Sequence, residues 1–126
     1  MVANMEPILR PGAWVFLSLP AGEEPPADLE PIALFREAEG WSLVVDARAA
    51  QAAGYSADAH YRQITLTVFS ALDGVGLTAA VAGALAEAGI ACNMIAAFYH
   101  DHLFVPAGDA ERAVEVLTAL QASAQA

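Results

Sequence analysis

The chain has 126 residues, 57% hydrophobic and 16% charged, enough for one ordinary domain or two very small ones that share a core. Fifteen acids face five bases, a formal charge of −10, and all five bases are Arg. With no basic stripe in either half, nucleic acid and anionic membrane surfaces are poor partners. The absence of Lys excludes Schiff-base chemistry and a Walker-type phosphate lysine.

No run approaches the ~18 apolar residues of a membrane span. The start of the chain lacks the basic-then-apolar order of a signal peptide, so a cytoplasmic location is expected. The lone Cys92 cannot form an internal disulfide.

In chain order, residues 13–19 read as a strand apolar on both faces and covered on both sides. Residues 20–31, rich in Pro and acid, read as a loop with room for one helical turn at Asp28 and Leu29. Residues 32–37 and 41–46 form two strands around a tight turn at Gly40. Residues 47–53 make a short helix that stops at Gly54. Ile64, Leu66 and Val68 alternate with Thr65 and Thr67, a half-buried strand. Leu77, Val81, Ala84, Leu85 and Ala88 form one face of a helix that ends at Gly89. Residues 90–97 and 103–105 are strands around a turn at 99–102. Asp109 is a candidate N-cap for a last helix striped by Ala113, Val116, Leu117 and Leu120, and residues 121–126 are expected to fray.

Residues 62–121 thus read β-α-β-β-α, and residues 13–69 read β-loop-β-β-α-β. Both are imperfect copies of the split βαβ pattern. The expected fold class is α+β: tandem ferredoxin-like βαββαβ units with antiparallel sheets and helices on one face. The expected units are 1–60, a degenerate copy without its first helix, and 61–126, without its closing strand. Residues 13–19 are the candidate for that missing strand.

The most informative local feature is the loop Asp73, Gly74, Val75, Gly76, Leu77 and Thr78, between a strand and a helix. Glycine admits a ligand close to the backbone, and the first helical N–H groups have no partner within the helix. Together they make a seat for a carboxylate or phosphate. The stretch also fits G-x-G-x-x-A, the dinucleotide fingerprint, but the acid expected ~20 residues on is absent and the next strand turns straight back in a hairpin. A plain structural reading is that these glycines only make a tight turn.

Asn93 is a single amide among apolar neighbours on the following strand, and a buried amide needs partners, from the backbone or from a ligand. His100 and His102 invite a metal reading with Cys92 as third ligand. However, Cys92 lies eight residues before His100, ~26 Å along an extended strand, so one protomer cannot gather all three. Ser70 lacks the nucleophile elbow, and Cys92 reads as a small apolar residue.

The stretch LDGVGLTAAVAGALAEAGIACNMIAA resembles the ACT domain, whose strand–Asp-x-x-Gly-Leu–helix–Ala-Gly-Ile–strand run is its usual signature. With YHDHLFVPAGDAERAVEVLTAL it looks like small stand-alone bacterial proteins built from two ACT-like units, related to the regulatory domains of aspartate kinases. The resemblance is good over 61–121 and weak over 1–60. It implies a non-catalytic regulatory protein that binds an amino acid where units meet, with no catalytic residues, cofactor or metal. Carried over by position, it implies ligand binding by Asp73, Gly74, Val75, Gly76, Leu77 and Thr78, completed by Asn93, Met94 and Ile95 on the adjacent strand. It also implies a homodimer. The alternatives are a protein-interaction module with a vestigial pocket, and a metal-binding protein using His100 and His102.

Overall fold

Alternation builds the sheet of the first unit. In β2 (Trp14–Pro20) the buried Val15, Leu17 and Leu19 alternate with the exposed Phe16, Ser18 and Pro20. The expected cover on both faces is therefore not found, since Phe16 is 41% exposed. β2 pairs antiparallel with β4 (Gly40–Asp46) along its whole length, and β3 (Ala33–Glu37) pairs with the other edge of β4. Trp14 also faces Tyr61. The computed structural model describes residues 2–67 and 76–125. Within them the chain divides into residues 12–61 and a second unit that joins residues 1–11 to 62–126.

The loop after β2 holds one 3-10 turn, Ala27–Leu29, where the full pattern would place a helix. Its Leu29 joins Val15, Leu17, Leu19, Leu43, Val45 and Ala50 in a small core. Helix α1 (Ala47–Ala52) starts at Asp46, whose Oδ1 accepts from the backbone N–H groups of Arg48 (2.9 Å) and Ala49 (3.1 Å). It ends in a Schellman motif: Tyr55 N–H donates to Ala50 O at 2.9 Å, and Gly54 N–H to Gln51 O at 3.0 Å.

The second unit contains β5 (Tyr61–Leu66), α2 (Leu77–Glu87), β6 (Asn93–Ala96), β7 (Asp101–Pro106) and α3 (Ala110–Gln125). Its sheet runs β1-β5-β7-β6, with β1 being Pro7–Leu9. β1 lies antiparallel to β5, Pro7 opposite Leu66 and Leu9 opposite Ile64. Along Ile64–Leu66 the strand beside β5 is thus a three-residue segment too short to show a period, and of residues 13–19 only Trp14 reaches β5, opposite Tyr61. Trp14–Pro20 bonds instead to β4 through all seven of its residues.

Both helices lie on one face. Leu77, Val81 and Leu85 of α2 and Ala110, Ala113 and Leu117 of α3 pack with Ile64, Leu66, Leu103 and Val105 of the sheet. The last turn of α2 repeats the Schellman geometry at Gly89 (φ +74°), with Ile90 N–H donating to Leu85 O at 2.9 Å. Arg112 of α3 donates to the Ala88 carbonyl at 2.6 Å, placing a cation at the negative end of α2. The expected fraying of 121–126 is not found either. α3 continues to Gln125, in keeping with the helix propensity of its Ala and Gln residues.

Two predictions follow from this packing. Gly40 has φ +141°, and a Cβ there would sit 1.9 Å from the Leu19 carbonyl oxygen. Gly40→Ala is expected to cost at least about 2 kcal/mol in urea denaturation. Met5 is fully buried in the core of the second unit. Met5→Ala is expected to cost about 2–5 kcal/mol, whereas a loosely attached N-terminus would give a change near zero.

Candidate ligand-binding site

The start of α2 is the point where sequence and structure meet. Gly76 is the N-cap, with φ +100°, and gives the helix no side-chain cap. Its carbonyl accepts from Ala80 N–H at 2.9 Å, the first bond of the helix. The N–H groups of Leu77, Thr78 and Ala79 precede that bond and carry the positive end of the helix dipole. No Cβ clash excludes a side chain at Gly76, so what the position demands is its backbone angle. Leu77 is 4% exposed and points into the core, so it anchors the helix and leaves the approach to the backbone of Gly76 and the exposed Thr78. Asp73, Gly74 and Val75 lie outside the described residues.

On β6 the three expected residues divide between two faces. Met94 packs against the core on the helix side. Asn93 and Ile95 face the other way, opposite Phe104 and His102 in the register with β7. Asn93 is exposed, and its Nδ2 donates to the Phe104 carbonyl at 3.4 Å. The expected buried amide is therefore a surface one at the first residue of an edge strand, where solvent meets its remaining hydrogen bonds.

A polar chain on the second unit's sheet carries more constraint than the sequence suggested. Arg10 Nε–H donates to Thr65 Oγ1 at 3.1 Å. Thr65 Oγ1 lies 3.1 Å, and Gln63 Nε2 3.2 Å, from His102 Nδ1. With the imidazole proton on Nε2, the single lone pair of Nδ1 is shared between these two donors. Thr65 and Gln63 are 2% and 7% exposed. Alternation in β5 reveals that these residues share a face, but their burial depends on Arg10 and His102, which arrive from distant segments.

Burial holds the His102 pKa below its ordinary 6.5; His100 and Arg10 lower it further, and Asp101 opposes them. As pH falls, the unfolded chain takes up this proton before the folded one. The stability contributed by neutral His102 is complete above the unfolded pKa and declines as pH drops from there through the lowered folded value. An NMR titration is expected to place the His102 midpoint below 6.5. His102→Gln is expected to flatten the acid side of the stability profile; an unchanged slope would remove His102 as its source.

The histidine pair does not assemble a metal centre here. The His100 and His102 rings have centroids 6.4 Å apart, and His102 Nδ1 is engaged. Among the described residues no three His, Cys, Asp or Glu side chains come together. Cys92 packs against the core, and burial pushes its thiol pKa up, away from the thiolate that a soft metal takes.

The element order, the helices on one face and the paired antiparallel strands define a ferredoxin-like α+β architecture. Residues 1–62 match the family model of an ACT domain, and residues 58–119 match a second ACT-domain model. The chain belongs to the ACT-domain family and carries two ACT units in tandem. ACT domains are regulatory modules. No curated protein matches the sequence.

Among solved structures, a Vibrio cholerae protein of unknown function, described as a possible transport protein, is 46% identical. The match covers 92% of this chain and 90% of that one, with a TM-score of 0.82. The aspartokinase alpha and beta subunits match over 90% of this chain and 95% of that one, at 13% identity and a TM-score of 0.65. The regulatory subunit of aspartate kinase from Thermus flavus matches over 91% and 96%, at 10% identity and a TM-score of 0.61. These last two share the fold. No helix among the described residues is long and apolar enough to cross a membrane.

Proposed function

We propose that this is a non-catalytic regulatory protein of the cytoplasm that binds a free amino acid at the start of α2, beside β6. The observation that carries the reading is the helix start: a glycine N-cap in a left-handed backbone, with no side chain among the described residues on the first N–H groups. Those groups suit the ligand carboxylate, and the dipole favours its charge. In this reading Asp73 holds the ammonium and Gly74, Val75 and Gly76 admit the ligand along their backbone. Leu77 and Thr78 supply the N–H groups. Asn93, which faces away from the helices of its own unit, meets the ligand from the β6 of a second copy of the chain, while Met94 and Ile95 fix the strand that carries it. A relative in fold, the Thermus flavus protein, is a regulatory subunit of aspartate kinase, which agrees with a controlling role.

The protein is further proposed to act as a homodimer. β3 and β6 end their sheet paths, and the β3 edge carries Leu34 and Phe35, 48% and 70% exposed. Sedimentation at micromolar concentration is expected to give twice the mass of the chain.

Calorimetry against the twenty amino acids tests the ligand. One amino acid is expected to bind, and Asn93→Ala to weaken it by about 1–2 kcal/mol, the scale of one or two hydrogen bonds. No heat with any of them at millimolar concentration would leave the interaction module with a vestigial pocket as the better account.

A further inference from the structure

A concave site lies wholly within residues 12–61, away from the start of α2 in sequence and in unit. The groove has a volume of about 430 Å³. Three pieces of backbone make it. β2 lends the apolar floor through Val15, helped by Ala13 just before it. α1 lends Arg48 and Gln51, three residues apart on one helical face, while Ala50 goes to the core. The Schellman turn at Gly54 then reverses the chain. Tyr55 packs against the core, and the segment beyond it closes the rim with Ser56 and His60.

The chemistry of this lining runs against the composition of the chain. Fifteen acids outnumber five Arg, yet the groove has a guanidinium and an imidazole and, among the described residues, no carboxylate. Asp46, the nearest acid on α1, spends its Oδ1 on the helix N-cap. Asp58, on the same loop as Ser56 and His60, does not line the groove. Among the described residues, the side chains of Arg48, Gln51 and His60 make no hydrogen bond or ion pair within the protein. The donors at the rim are therefore uncommitted, over a floor that is apolar.

We propose that this groove binds a small monocarboxylate with an apolar body, the carboxylate held by the Arg48 fork and His60 and the body resting on Val15, Ala47 and Ala57. A guanidinium presents two parallel N–H groups to a carboxylate. An amino acid fits less well, because no carboxylate lines the groove itself to take its ammonium, Asp46 lying in the adjoining hollow beyond Arg48. Inorganic phosphate would satisfy the donors but leave the floor uncovered. The ligand class therefore differs from the one proposed for the start of α2.

The test is an NMR titration of the full chain, following backbone amides, with 2-oxobutyrate, 2-aminobutyrate and inorganic phosphate as probes. The 2-oxo acid is expected to shift amides of residues 47–60 saturably, and the other two to bind there at least about tenfold more weakly, as lost pairing or lost burial would dictate. Arg48→Gln, an exposed change compatible with folding, is expected to weaken 2-oxobutyrate by at least about tenfold while leaving the rest of the spectrum in place. The proposal is overturned by no saturable shift in 47–60, by equal binding of phosphate or of the amino acid, or by an Arg48→Gln variant that binds as well as the parent. Shifts confined to residues 76–95 would assign the 2-oxo acid to the α2 site and overturn it too.

Discussion

The second unit depends on covering one strand edge. Residues 62–125 supply β-α-β-β-α, which leaves the backbone groups along one side of β5 without a partner from that segment, and buried backbone groups must be bonded. The partner comes from the other end of the chain. β1 pairs with Ile64–Leu66, and the ladder is extended on both sides: Thr67 N–H donates to Met5 O at 2.9 Å, and Arg10 N–H to Gln63 O at 2.8 Å. Two further features follow from that edge. Met5 is carried into the core between sheet and helices, and Arg10 is carried to Thr65, 55 residues away in sequence. A unit completed in this way closes only after the intervening residues 12–61 have been made, so its stability rests on a long-range contact.

That contact explains the polar chain. Thr65 and Gln63 alternate with Ile64 and Leu66, the pattern of a strand with one face in water. The apolar face does enter the core. The polar face is buried too, and it is tolerated because each group is bonded: Arg10 to Thr65, and Thr65 and Gln63 to His102. Removing any member leaves a neighbour unsatisfied in a dry place, which is costlier than the bond itself. The network thus holds β1, β5 and β7 in one register, a job that apolar side chains of similar shape would do with less specificity.

What could be read from the sequence follows the range of the forces. α2 and α3 were legible because three- and four-residue spacing and the Gly89 stop are local signals, and β3 and β4 because Gly40 marks their turn. The start of α2 was legible for the same reason, a glycine before an apolar stripe. β1, the burial of Met5 and Thr65, and the link from Arg10 to His102 were not, since none exists until distant segments meet. Asn93 shows the limit within the site itself. Its place on the strand face opposite Met94 followed from alternation, but its exposure followed from β6 being an edge, which only the strand order reveals.

The two copies differ at the helix start on which the proposed ligand reading rests. The second keeps a helix opening on a glycine, so backbone N–H groups and a dipole are present before any side chain is chosen. In the first, the corresponding helix is reduced to the turn Ala27–Leu29, and the one helix that remains, α1, has its leading N–H groups already bonded to Asp46. A charged ligand in that unit must therefore be met by side chains, and in a chain with five Arg the choice of positions is narrow. Arg48 is on α1, one turn from Gln51, and lines the same groove as His60, with a carboxylate-free lining among the described residues. Without that helix the first unit has no backbone seat of the kind proposed for α2, and the proposed groove relies on side chains in its place.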